Sequence, residues 1–167
     1  TVIFSVLYSE HSEQPLKVTY TVLCPTGTTG RSGISWYKHK GVWTSDADDY
    51  VNNEWDRGHL APSADFSCNK KMVKETFTYL NCALQHEGLN RGPWKELERF
   101  ERDLAKLFEV KVVVEVIFET KVTRVPGGAA IPAAFRKTLY FDDKVYEFYF
   151  PNMDVAGENW FNFMVVK

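Results

Sequence analysis

The 167-residue chain predicts a mixed α+β fold in one domain that spans residues 1–167. Two observations carry this prediction. Stretches rich in β-branched and aromatic residues lie near both ends of the chain, and one clear amphipathic helix lies between them. In addition, no repeat, low-complexity segment or Gly/Ser-rich linker divides the sequence.

The first two elements are predicted strands. VIFSVLY (2–8) and LKVTYTVLC (16–24) are rich in β-branched and aromatic residues, and residues 17–22 alternate between polar and apolar side chains. The turn residues of PTGTTGRSG (25–33) then predict a flexible loop. Residues 34–53 show no clear period, and residues 77–84 are a candidate for another strand.

The segment PWKELERFERDLAKLF (93–108) predicts the long helix. Pro93 suits the first turn, because its missing N–H costs no hydrogen bond there. One face is apolar and consists of Trp94, Leu97, Leu104, Leu107 and Phe108. Glu98 and Arg102 lie four residues apart at the edge of that face.

Strands follow the helix. VKVVVEVIF (110–118) predicts a strand, and VPGGAAIPAAF (125–135) predicts a loop. Residues 138–150 predict a hairpin with Asp142 and Asp143 in its turn.

The overall charge indicates little about nucleic acid. A formal net charge of −2 argues against a protein that coats nucleic acid through bulk charge, although an enzyme needs only a local basic patch. Lys70, Lys71 and Lys74 are candidates for contact with a DNA backbone, but such a cluster is more often a solvated face.

The three cysteines leave at least one thiol unpaired and show no CxxC spacing, so neither a disulfide framework nor a zinc ribbon is indicated. No apolar run is long enough to span a membrane, which predicts no membrane partner. The chain opens without a recognisable targeting signal, and the compartment stays open.

The first motif that suggests chemistry is WDRGHLAP (55–62). His59 and Arg57 flank a glycine, which permits a sharp turn or a close approach and can bring a base and a phosphate-binding group together. The alternative is a surface loop with a solvated arginine and a hydrogen-bonded histidine.

The second motif runs from Thr78 to Arg102 and contains the polar residues Asn81, Gln85, Asn90, Glu98 and Arg102. The two asparagines are also typical of turns and helix caps. Glu98 and Arg102 could equally form an ordinary surface pair at i and i+4.

Together the two motifs resemble the DNA/RNA non-specific endonuclease family. The resemblance rests on DRGHLAP-ADF (56–66) and on ETF-x-x-LN-x-x-x-Q-x-x-x-LN-x-G-x-W-x-x-LE (75–98), with nine residues from Asn81 to Asn90 and eight from Asn90 to Glu98. QPLKVTYTVL (14–23) and IPAAFRK (131–137) are similar to the family's first core strand and a late strand. The resemblance implies the ββα-metal (His-Me finger) nuclease fold, an antiparallel sheet core with one long helix that carries the metal site.

The resemblance also implies roles for matched residues. His59 matches the general base, Asn90 the single protein ligand of the catalytic Mg²⁺, and Glu98 the acidic residue that holds metal-bound water. The remaining matches are the phosphate-contacting Arg57 and Arg102, Asn81 as support for the histidine among the catalytic residues, and Asp56 and Gln85 in structural or indirect roles.

The implied activity is Mg²⁺-dependent hydrolysis of phosphodiester bonds in DNA and RNA, and Mn²⁺ or another divalent cation can substitute. These residue types suit that chemistry, because Mg²⁺ keeps most of its waters and a neutral imidazole can accept a proton from water. The family's additional early-strand arginine has no clear counterpart, and Lys17 and Arg31 are both candidates.

The implied partners are DNA and RNA, and dimers are common in the family, although no residue here requires a homodimer. Two alternatives remain: a catalytically inactive relative that binds nucleic acid or protein, and an endonuclease with more sequence selectivity.

Overall fold

The computed structural model describes residues 3–166. The strands are β1 Phe4–Ser9, β2 Gln14–Thr21, β3 Trp55–His59, β4 Cys82–His86, β5 Lys111–Ile117, β6 Ala134–Phe141 and β7 Lys144–Pro151. The helices are α1 Lys70–Glu75, α2 Glu87–Asn90 and α3 Pro93–Ala105. Among residues 3–166, no helix combines the length and the apolar composition needed to cross a membrane.

Five strands form an antiparallel sheet in the order β1-β2-β5-β6-β7. In β2 and β5 alternate residues point to one buried face, and the alternation of residues 17–22 predicted this for β2. Turn residues Asp142 and Asp143, with φ of 47° and 56°, join β6 to β7, which confirms the predicted hairpin. The first strand of that hairpin begins at Ala134, inside the segment predicted as a loop.

The long helix α3 packs on this sheet through Trp94 and Leu97, both fully buried. The predicted apolar face was wrong at its far end, because the helix ends at Ala105 and leaves Leu107 77% exposed and Phe108 36% exposed. The chain turns there towards β5, so these two side chains no longer follow the helical spacing.

A buried ion pair joins α3 to the sheet. Lys137 Nζ donates to Glu101 Oε2 at 2.6 Å, and the Tyr20 hydroxyl donates to Glu101 Oε1 at 2.5 Å. Lys137 Nζ also lies 4.2 Å from the Trp94 ring centroid. The two charges therefore have polar partners inside an otherwise apolar core.

The remaining strands, β3 and β4, form a separate antiparallel pair that precedes α2 and α3. This arrangement confirms the predicted α+β class with an antiparallel sheet and one long helix. Asn90 lies at the end of the short helix α2, just before α3, because the chain breaks at Gly92 and Pro93 starts a new helix. The candidate strand at 77–84 begins only at Cys82, since residues 79–81 form a 3₁₀ turn.

The structure pairs Cys24 with Cys68, whose Cα atoms lie 5.4 Å apart, and leaves Cys82 buried as a free thiol. The sequence indicated an unpaired cysteine but no disulfide. Since 44 residues separate the two bonded cysteines, only the tertiary fold brings them together.

Candidate active site

A cleft of about 920 Å³ opens between β3, α3 and the loop at residues 27–36. Six of the eight residues that the sequence singled out line this cleft: Asp56, Arg57, His59, Asn90, Glu98 and Arg102. They come from β3, α2 and α3, so the ββα unit is what brings them together.

His59 is held between two aromatic rings. The centroids of the Trp36 and Phe77 rings each lie 4.5 Å from the imidazole centroid. His59 Nε2 is buried and has no hydrogen-bond partner among the described residues. Burial, followed by the positive charge of Arg31, lowers the pKa of His59 to about 3. The imidazole is therefore neutral at physiological pH.

β3 is extended through the DRGH motif, so the alternative of a surface loop is wrong. Gly58 serves close packing rather than a turn, because a Cβ at this position would lie 2.5 Å from Gln85 Oε1 on β4. Gln85 is fully buried, and neither atom of its amide has a partner within residues 3–166. Gln85 is not among the residues that line the cleft.

Asn90 is oriented by Asp56. Asn90 Nδ2 donates to Asp56 Oδ2 at 2.9 Å, and Arg91 donates to both carboxylate oxygens of Asp56 at 3.0 and 2.8 Å. Because an ionised carboxylate only accepts, the Nδ2 atom faces Asp56 and the Oδ1 atom of Asn90 faces the other way. The amide oxygen is thus available as a ligand.

Glu98 and Arg102 project from α3 into the cleft without the surface pairing that their spacing allowed. Arg102 Nη1 instead donates to the buried Asp65 at 2.9 Å. Burial raises the pKa of Glu98 to about 8, while the nearby charge of Lys137 opposes this shift. A cation in the cleft would favour the ionised carboxylate of Glu98.

The cleft is basic although the chain is acidic. Its lining includes five cationic side chains and two carboxylates, and these are Arg31, Arg57, Arg91, Lys95 and Arg102 against Asp56 and Glu98. Arg31 lines the cleft, whereas Lys17 is exposed on β2 opposite Glu115. Its location in the cleft therefore favours Arg31, rather than Lys17, as the counterpart of the family's additional arginine.

Asn81 is not among the residues that line the cleft, so the support for His59 that the resemblance implies would be indirect. It is fully buried, and its Oδ1 accepts from Ala61 N at 2.8 Å. Its Nδ2 donates to the carbonyl oxygens of Ala61 and Thr76 at 2.9 and 3.0 Å. Asn81 thus fixes the backbone that follows His59 and acts on the imidazole only through that backbone.

A family model described as DNA/RNA non-specific endonuclease matches residues 3–166. The chain belongs to this family. The zebrafish (Danio rerio) mitochondrial nuclease EXOG is 32% identical over 83 residues, which are 49% of this chain and 24% of that protein. The mitochondrial nuclease of Saccharomyces cerevisiae is 29% identical over 135 residues, and the match covers 66% of this chain and 41% of the relative. Less than half of each relative is therefore matched.

The fold of this endonuclease family member is also that of a solved structure. A chain in the crystal structure of the EndoG/EndoGI complex matches it with a TM-score of 0.89 over 99% of this chain and 78% of that chain. At 21% identity this likeness shows the fold alone.

The sequence motifs did not identify several residues of the site. Trp36 lay in a segment without a clear period, and Phe77 was part of a motif but had no assigned role. Arg91 directly follows Asn90 in the sequence, and that adjacency was the one available signal. The loop at 27–31 was expected to be flexible, but the Cys24–Cys68 disulfide and a hydrogen bond from Thr29 N to Ser67 O hold it against the cleft.

Proposed function

We propose that the chain is a Mg²⁺-dependent endonuclease that hydrolyses phosphodiester bonds in DNA and RNA with little base preference. One observation carries the proposal: the amide held by Asp56 presents Asn90 Oδ1 to the same basic cleft that contains a neutral, unpaired His59. A base, an oxygen ligand for a metal ion and phosphate-binding cations are groups that serve metal-assisted hydrolysis of a phosphodiester.

His59 is the general base in this proposal. Because Nε2 is buried while the residue lines the cleft, Nδ1 is the nitrogen that takes the proton from the attacking water. The aromatic rings on either side restrict the imidazole orientation. Proton transfer to a positioned base contributes about 10²–10⁴-fold to a rate.

Asn90 and Glu98 are the residues that would hold the metal ion. Asn90 Oδ1 would be the direct ligand and the Glu98 carboxylate would act through water. Both residues line the cleft and offer hard oxygen atoms, which suit Mg²⁺. When bound, Mg²⁺ stabilises negative charge on the phosphoryl oxygens and on the leaving 3′ oxygen. Mn²⁺ also accepts oxygen ligands and is expected to substitute.

Arg57, Arg102 and Arg31 bind the phosphate. Arg102 is fixed by its bond to Asp65, whereas Arg57 is exposed and lies 5.8 Å from the Tyr50 ring centroid. Contacts to phosphate carry no sequence information, so this set of residues favours cleavage at many sites. The products expected from a leaving 3′ oxygen are 5′-phosphate ends.

The test is cleavage of plasmid DNA and of RNA by the purified protein with Mg²⁺ or with excess EDTA. His59→Ala and Asn90→Ala are run beside the wild type, and Lys144→Ala, an exposed residue at the β7 end of the sheet, is the control. Loss of cleavage of both polymers on chelation and in the first two variants supports the proposal.

The same experiment separates the alternatives. A folded wild type that binds DNA but cuts neither polymer with Mg²⁺ or Mn²⁺ is a binding relative. Cleavage of a mixed-sequence plasmid at only a few defined sites shows sequence selectivity instead.

A further inference from the structure

Two segments of the chain, residues 25–40 and 67–81, pack against each other and form one wall of the cleft. We call this pair of segments the basic wall. The Cys24–Cys68 disulfide joins their starting ends. Farther along, Lys70 Nζ donates to Ser32 O at 2.6 Å, and Tyr37 N donates to Phe77 O at 3.0 Å. The two segments therefore run side by side over most of their length.

The inner side of the basic wall belongs to the site already described. Arg31 and Trp36 from the first segment line the cleft, and so do Val73 and Phe77 from the second. Its outer side is the exposed face of α1, which carries Lys70, Lys71 and Lys74. Positions 70, 71 and 74 lie within about 100° of one another around a helix, so the three lysines share one face.

The basic wall concentrates positive charge. It contains six lysines and arginines and a single acidic residue, Glu75, which give a formal net charge of +5. The whole chain has a formal net charge of −2, so the remaining residues carry −7. An ordinary solvated surface mixes both signs of charge, whereas positive charge predominates in this wall.

The lysines of α1 are available for a ligand. Lys38 of the other segment lies 3.4 Å from Asp46, which offsets part of its charge. No carboxylate within residues 3–166 forms an ion pair with Lys70, Lys71 or Lys74. Lys70 Nζ donates to the backbone carbonyl of Ser32, the residue after Arg31, so the positive charge of the α1 lysines adjoins that of the cleft.

We propose that the exposed lysines of α1 bind phosphates of a nucleic-acid strand several nucleotides from the bond that is cut. The inference rests on the proposed function and deepens it, because it assigns the preferred substrate as a polymer rather than a dinucleotide. A polyanion releases condensed counterions when lysines neutralise its phosphates, and a short substrate that fills only the cleft gains nothing from this.

The test compares two triple variants with the same change of charge. Lys70→Gln/Lys71→Gln/Lys74→Gln removes the α1 lysines, and Lys111→Gln/Lys121→Gln/Lys144→Gln removes three exposed lysines outside the cleft lining. Both are assayed on a 30-nucleotide DNA and on a dinucleotide, and circular dichroism verifies folding. We expect the α1 variant to lower the polymer-to-dinucleotide ratio of kcat/KM by roughly tenfold, and the control variant to leave the ratio unchanged.

Binding is measured separately by fluorescence anisotropy of the 30-nucleotide DNA in EDTA. The slope of log Kd against log salt concentration should become shallower by about 2 in the α1 variant, as expected for three lost phosphate contacts on a single strand. This measurement needs no catalysis. If the protein binds DNA but cuts nothing, the proposed function is contradicted, while the salt slope still tests whether the basic wall binds DNA.

Three results would overturn the inference. Equal losses on polymer and dinucleotide would show that α1 only supports the fold of the cleft. Equal effects of the two triple variants would show that bulk charge alone is responsible. An unchanged salt slope would mean that the lysines do not contact DNA and would leave an acidic protein as the better partner for this face.

Discussion

Asp56 fixes which atom Asn90 presents to the cleft. The carboxylate accepts from Asn90 Nδ2 at 2.9 Å and is itself held by two hydrogen bonds from Arg91. The sequence places Asp56 and Asn90 34 residues apart, yet in the fold they form one unit that turns the Asn90 oxygen outward. Residues that orient a metal ligand in this way commonly tune metal affinity.

Asp56→Asn is expected to weaken metal binding, because an amide at this position can also donate and no longer fixes the orientation of Asn90. The apparent dissociation constant for Mg²⁺ in the cleavage assay should rise about 10–100-fold, with much of kcat recovered at saturating metal. Asp103→Asn, an exposed position on α3, is the matched control. An unchanged metal dependence in Asp56→Asn would contradict the orienting role.

The imidazole of His59 should titrate well below its ordinary range, because burial and Arg31 lower its pKa to about 3. A depressed pKa keeps the base neutral as the pH falls, so protonation of His59 should not limit activity near pH about 6.5, the usual histidine value. NMR of the metal-free protein measures this titration, with His59→Ala to assign the resonance. A pKa at or above 6.5 would refute the prediction.

Trp36→Leu tests how the aromatic rings affect His59. Loss of the indole 4.5 Å away admits water to the imidazole, so the pKa of His59 should rise and the acid limit of the rate should move to higher pH. Trp55→Leu is the control, because Trp55 packs against His86 at 5.6 Å outside the cleft. The same shift in both variants would point to general loosening of the β3–β4 pair.

The buried pair of Lys137 and Glu101 should matter for stability. Lys137→Met leaves the Glu101 carboxylate buried with the Tyr20 hydroxyl alone, and breaking such a pair from one side costs about 3–5 kcal/mol. Urea denaturation measures the free energy of unfolding. The exposed pair of Arg99 and Glu96 is the comparison, since Arg99→Ala should cost about 1 kcal/mol or less. Similar losses in both variants would argue against a buried charge effect.

The Cys24–Cys68 disulfide should stabilise both the fold and the loop that carries Arg31. Replacement of both cysteines by serine opens a loop of 44 residues and is expected to cost about 2–4 kcal/mol in stability. We also expect KM for DNA to rise, because the loop at 27–31 loses its tether to Cys68. A reductant should reproduce both effects in the wild type. If reduction changes the double variant equally, the tether is not the cause.

The sequence by itself indicated the strands of the five-stranded sheet, the long helix and several of the polar residues that line the cleft. Period-two alternation indicated β2, β-branched and aromatic residues indicated other strands of the sheet, and Pro93 marked the start of α3. The spacing of the two motifs identified Arg57, His59, Asn90, Glu98 and Arg102, all of which line the same cleft. These signals are local, since they depend on residues that are neighbours in the chain or on one face of a helix.

Tertiary structure decided what each of these side chains touches. Nothing in the spacing of residues shows that Asp65 holds Arg102, that Trp36 packs on His59, or that Cys24 meets Cys68. The same limit applies to Asn81, which the motif match gave as support for His59 but whose hydrogen bonds to the backbone of Ala61 only the fold reveals. Such contacts join residues that are distant in sequence, and only the packing of the chain into one core sets their distances.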